Sequence, residues 1–159
     1  MTPKTRAVIP ALPLLLVFAL PLAAQHTTKA EDNPDARPAV TRADVQIVQR
    51  AREILDSPLK WNRADTRVCP AEAKTFSLYC ALKQATVEVA GQFEHRGAAM
   101  QEARFVIDEI APNRKHYHHR LMDYNNDPTT TFADVQRFFR TLQDRVAGRL
   151  KEQSQRGDK

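Results

Sequence analysis

Glycine is scarce in this chain, with four among 159 residues. None lies in a run that could cradle a phosphate, which excludes P-loop and dinucleotide-fingerprint chemistry. A serine-nucleophile elbow, a zincin helix and a Cys-x-x-Cys-His haem attachment are also absent. No stretch alternates polar and apolar residues as a half-buried strand would, and there is no repeat or low-complexity tract. Charge of one sign is not concentrated either. Lys and Arg number 24 against 19 Asp and Glu, the net charge is +5, and acids and bases alternate along the chain. A nucleic-acid binder shows a concentrated basic face, so nucleic acid is not an expected partner. No residue is assigned a catalytic role.

The one long hydrophobic run is N-terminal. Lys4 and Arg6 precede an uncharged apolar stretch from Ala7 to Leu22, and Ala23 and Ala24 supply small residues behind it. A charged start, a short apolar stretch and a small-residue exit describe a secretory signal peptide over residues 1–24. The alternative is an uncleaved anchor. The run is short for a span, and Pro10, Pro13 and Pro21 interrupt it. No cysteine follows the exit, which argues against lipid attachment. Removing Lys4 and Arg6 with the leader leaves a net charge of +3. Residues 25–40 read as a polar linker holding Pro34 and Pro38. Residues 41–150 have the size of one ordinary domain, and residues 151–159 read as a disordered basic tail.

The chain has two cysteines, Cys69 and Cys80. In an exported protein such a pair is expected to form a disulfide. On one continuous helix they would stand ~16 Å apart, whereas a disulfide needs Cα atoms within ~7 Å. Cys69 must then lie in a loop folded back beside the helix carrying Cys80, and Pro70 favours the extended backbone this requires. The alternative is two unpaired, partly buried thiols.

Helical spacing dominates the remainder. Thr41 and Asp44 look like a capping box opening a helix with Val45, Val48, Ala51 and Leu55 on one face, stopped by Ser57-Pro58. Leu59 to Val68 reads as a loop in which Trp61 plugs the edge of the core. A second helix begins between Ala71 and Thr75 and runs to Gly91 or Phe93. It is apolar on nearly all sides, as a central helix wrapped by others would be. A third spans about Gly97 to Ala111, and a short one Lys115 to Tyr124. The last runs from Phe132 to about Leu150, with Thr131 as its cap and Asp134 in its first turn. The fold expected is all-α, a compact bundle of four to five helices.

Several short elements fall in a recognisable order: Ala51-Arg-Glu-Ile-Leu55, Trp61, Tyr79-Cys80-Ala-Leu82 with Ala85, Asn126-Asp127, Thr131 and Asp134-Val135. This order resembles a functionally uncharacterised family of small all-helical bacterial and phage domains. The resemblance covers about Thr41 to Phe139. It departs from the family pattern where Leu82-Lys83 follows the cysteine without a glycine. It implies a helical fold and carries no activity.

Three segments are candidates for chemistry. On a continuous helix His116, His119 and Asp123 would share one face and could bind a divalent transition metal with open positions; the bland reading is a solvated helix edge. Asp123, Asn125, Asp127 and Asp134 mimic the oxygen positions of a calcium loop, although Pro128 stands where glycine is needed. The competing reading is a turn at Asn125, Asn126 and Pro128 followed by a helix cap, with Asn125, Asn126 and Asp127 open to a ligand or partner. Glu94-His95-Arg96, with Glu102, Arg104, Asp108 and Glu109, could support acid–base work only inside a cleft, and Arg104 and Asp108 have the spacing of a surface ion pair. No cofactor is expected unless such a metal is bound. The expectation is a non-enzymatic binding or structural module, exported to the periplasm or beyond, whose partner is a protein or cell-envelope component. Membrane contact is expected only through the signal peptide during export. The alternatives are a metal-dependent protein or hydrolase-like enzyme using the His116–Asp134 region, and a membrane-surface binder acting through the basic tail.

Overall fold

The structure, a computed structural model, describes residues 36–157. The leader and most of the linker expected before them lie outside the described residues. The described chain is all-α. Helix α1 spans Arg42–Ile54, α2 Leu78–Ala90, α3 Ala98–Ile110, α4 Arg120–Asn126 and α5 Phe132–Gly157, with single 3-10 turns at Pro58–Lys60 and Arg114–His116. Among the described residues no helix is long and apolar enough to cross a membrane.

Each helix starts where local chemistry dictates. The backbone N–H and hydroxyl of Thr41 both donate to Asp44 Oδ2, at 2.8 and 2.7 Å. The second oxygen of Asp44 accepts the backbone N–H of Ala99 at 3.0 Å. One buried carboxylate thereby caps α1 and the first turn of α3, tying the two helix starts together. Thr131 and Asp134 build the same box ahead of α5. Ser77 accepts the N–H of Cys80 and caps α2, so α2 starts later than its apolar residues suggested. Gly91 closes that helix in the left-handed conformation, φ 79°, which glycine adopts without steric cost.

The core lies between α1, α2, α3 and α5, with α4 covering one end. Ile47, Val48, Ala51 and Ile54 of α1 meet Leu78, Ala81, Leu82 and Ala85 of α2. Phe138, Phe139 and Leu142 of α5 are fully buried beside Met100 and Ile107 of α3. The expectation that α2 is wrapped on all sides is corrected: Val87 is exposed and Tyr79 is only partly covered. Its extra apolar flank instead meets a loop and a cleft.

Both expected termini of the domain move outward. Val40 is buried, and its backbone N–H and C=O pair with the side chain of Gln153 at 2.9 and 3.2 Å. Gln101 donates to the carbonyl of Ala36, and Arg149 to that of Pro38. Residues 36–40 are thus strapped across α3 and α5. Residues 151–157, expected as disordered tail, continue α5, and Gln153 forms part of that strap.

Candidate functional site

Between α1 and α2 the chain makes a long loop. Its ends pair Phe76 with Lys60 and Asn62 through backbone hydrogen bonds of 2.7 and 2.9 Å. Inside it, the Sγ atoms of Cys69 and Cys80 lie 2.01 Å apart, with Cα atoms at 5.4 Å. The loop does fold back beside the helix that carries Cys80.

Asn125 holds this loop to the bundle. It is fully buried. Its Oδ1 accepts Trp61 Nε1 at 2.9 Å and the backbone N–H of Leu78 at 3.1 Å, while its Nδ2 donates to the carbonyl of Asn62 and to Asn126 Oδ1. Asn126 clamps both backbone groups of Asp65, at 2.7 and 2.8 Å. Asp127 accepts from Asn113 and Tyr117 on one oxygen and twice from Thr129 on the other. These donors, Asn113 foremost, hold its carboxyl well below the ordinary aspartate range. The segment Asn125–Asp127, considered from sequence as a ligand or partner loop, has its polar groups turned to the protein's own chain.

The residues of the metal candidates fall on separate elements. His116 ends a 3-10 turn, His119 is the N-cap of α4 and Asp123 lies within α4, so no continuous helix carries the three on one face. Asp123 Oδ2 accepts the backbone N–H groups of His118 and His119, at 2.6 and 2.7 Å. The calcium-like oxygens of Asp123, Asn125, Asp127 and Asp134 therefore serve separate local bonds. Among the described residues no group of three His, Cys, Asp or Glu side chains could hold a metal ion.

The third segment behaves differently. Arg104 does not pair with Asp108. Its guanidinium reaches Gln101, the carbonyl of His95 at 2.9 Å and His95 Nε2 at 3.1 Å. Asp108 pairs instead with Arg114 and, at 3.0 Å, with Arg120. Glu102 and Glu109 face α5, against Arg149 and Arg145. Arg104 and Asp108 face the opposite side of α3 with Arg114 and Arg120.

The result is a cleft of about 290 Å³ lined by Arg67, Arg96, Arg104, Arg114 and Arg120. His95, His118 and His119 join them on its lining, with Tyr79, Leu121 and Met122 as the apolar wall. Gln101 completes the lining, which includes no carboxylate among the described residues. Burial, then the charges of Arg96 and Arg120, lowers Arg104 to about 10, so it remains a cation at neutral pH. His95 is lowered by partial burial and then by Arg104, Arg96 and Arg67, which favours the neutral form that can accept from Arg104. Tyr79 packs on Phe93 and His95 at ring separations of 6.0 and 6.4 Å. Arg67 has φ 61°, the one positive φ outside glycine among the described residues. For a long side chain this costs about 1–2 kcal/mol, and such residues concentrate at functional sites.

Sequence reasoning missed this cleft. Its arginines come from four separate stretches of chain, and the local signals were His95-Arg96 with Arg104 and the run of histidines between Arg114 and Arg120.

Fold and cleft together define a small disulfide-linked helical bundle with an arginine-lined recess. The chain belongs to the family of unknown function DUF6197, whose model matches residues 39–145. No curated protein and no solved structure matches it. The matched span contains every residue of the Trp61–Asn125–Asn126–Asp127 network and the whole cleft lining.

Proposed function

We propose that the protein is a non-enzymatic binding module, acting in the periplasm or outside the cell, that takes an anionic ligand in the arginine-lined cleft. One observation carries this reading: Arg67, Arg96, Arg104, Arg114 and Arg120 are among the residues that line one recess, with no carboxylate among the described lining residues. A cleft rich in cationic side chains raises the local positive potential and attracts an anion. Arginine also suits the task because its planar fork presents several fixed donors to oxygen atoms. Among the described residues the lining offers no serine, threonine or cysteine as nucleophile and no carboxylate as general base. Its histidine nearest Arg104 already accepts from that side chain. A disulfide and a leader-like N-terminus support an oxidising compartment outside the cytoplasm. There the ligand would be an anionic component of the envelope or its surroundings.

The test is thermal unfolding with phosphate, sulfate and citrate against chloride at matched ionic strength. Saturable stabilisation that Arg104→Gln abolishes supports the reading. Shifts that merely track ionic strength remove it. Turnover of p-nitrophenyl phosphate by the purified chain, lost in the same variant, would show an enzyme instead.

A further inference from the structure

We infer that residues 36–40 are a control strap for the cleft. Seated, they hold two of its arginines in place through Gln101 and Phe105; lifted, they weaken its grip on an anion. This rests on the anion-binding reading above and adds how that site is regulated.

Gln101 makes the first link. It is almost wholly buried, at 1% exposure. Its Nε2 donates to the carbonyl of Ala36 at 2.9 Å, and its Oε1 accepts from Arg104. A carbonyl can only accept and a guanidinium can only donate, so the amide serves these two partners in one orientation alone. The strap sets the orientation of the amide, and the amide sets one of the bonds that place Arg104. Other bonds of Arg104 go to the carbonyl and ring of His95, within the cleft. Lifting Ala36 leaves a buried donor without that acceptor, which is costly. An amide that turns to recover a partner lets go of Arg104.

Phe105 makes the second link, one turn further along α3. The guanidinium of Arg37 lies 4.2 Å from the centre of its ring, and that of Arg120 lies 5.7 Å from it. One ring is shared by a strap cation and a cleft cation. Gln101 and Phe105 stand at i and i+4, on one face of the helix. Each touches the strap with one partner and the cleft with another, which makes both positioning residues.

The strap is fastened away from the cleft. Val40 pairs through both backbone groups with Gln153, and the carbonyl of Pro38 accepts from Arg149, both on α5. Neither α5 residue lines the cleft. The family model matches residues 39–145, so Ala36, Arg37, Pro38, Arg149 and Gln153 flank the span that holds the whole cleft lining. The fastening and the site it acts on are distinct places, as a coupling between them requires.

Calorimetric titration of the whole chain with sulfate, disulfide intact and ionic strength matched with chloride, tests this on two uncharged changes in α5. Gln153→Ala unfastens Val40. Gln136→Ala, the control, removes a bond of the same kind to the carbonyl of Leu55, away from the strap. Gln153→Ala is expected to weaken sulfate about fivefold, at the low end of coupling between linked sites, and Gln136→Ala to leave it unchanged. Gln101→Met, which breaks the first link while filling the space, should remove most of the Gln153→Ala effect. Coupling is reciprocal, so saturating sulfate should slow hydrogen exchange at the Val40 amide about fivefold in the wild type and far less in Gln101→Met. Equal sulfate affinity in wild type and Gln153→Ala overturns the strap as a control and leaves the anion reading standing. Equal weakening by Gln153→Ala and Gln136→Ala assigns the effect to general loosening and overturns it too. No saturable sulfate binding in the wild type overturns both.

Discussion

Replacing Asn125 by alanine tests the account of how the loop is held. The side chain is fully buried and makes four hydrogen bonds. Its loss orphans the backbone N–H of Leu78, which belongs to a residue with no solvent exposure; such a group costs about 1–3 kcal/mol. Trp61 Nε1 is only partly covered, and the carbonyl of Asn62 belongs to an exposed residue. Water can repair those two in part. The sum is about 3 kcal/mol, a large share of the 5–15 kcal/mol typical of a domain. For a described domain of this size, with about 4 °C per kcal/mol, the melting temperature should fall by about 12 °C. Thermal circular dichroism and urea unfolding of the oxidised protein measure it, with an unchanged urea m-value showing that the transition stays comparable. His116→Ala, on an exposed turn, should stay within about 0.5 kcal/mol. A loss below about 1 kcal/mol for Asn125→Ala would refute the assignment of Asn125 as the anchor of this loop.

Four further outcomes are expected. Reducing the Cys69–Cys80 link should lower stability by about 3 kcal/mol, from the loop-closure entropy of a link spanning 11 residues; alkylation of both thiols in native, unreduced protein would show the link absent. Asp127 has a depressed carboxyl, so its stabilisation is full above the ordinary value of 3.8 and is lost as pH falls through the folded-state value; acid unfolding of Asp127→Asn should accordingly be less steep below pH about 4, and equal slopes would contradict this. His95 is depressed by burial and by Arg104, Arg96 and Arg67, and a bound anion offsets those charges. Sulfate affinity should therefore rise as pH falls below about 6.5, more in wild type than in His95→Gln, which keeps the His118 and His119 of the same cleft; identical profiles would remove His95 from the linkage. Excess zinc, nickel, manganese or calcium should leave the melting temperature unchanged, because Asp123, Asn125, Asp127 and Asp134 already accept internal donors; a saturable rise would restore a metal site.

The resemblance seen in sequence covers about Thr41 to Phe139, and the family model matches residues 39–145. Trp61, Asn126, Asp127, Thr131 and Asp134 all serve the loop anchor or the cap of α5. Such residues identify the fold and are silent about a ligand. That is why a readable family signature came without an activity.

What the sequence by itself determined was local. Helical periodicity located α1, α3 and α5, and the Thr-x-x-Asp pairs located two helix starts, because capping is decided within one turn of chain. The cysteines located a loop that had to return to α2, because bond geometry leaves no other path. The tertiary structure alone decided which way the long side chains turned. Arg104 sits one turn from Asp108 yet joins His95, while Asp108 goes to Arg114 and Arg120. No spacing rule chooses between a neighbour on the same helix and a partner from a distant loop when both are within reach of a flexible guanidinium. Charges that alternate along the chain were therefore sorted by folding into a cationic cleft.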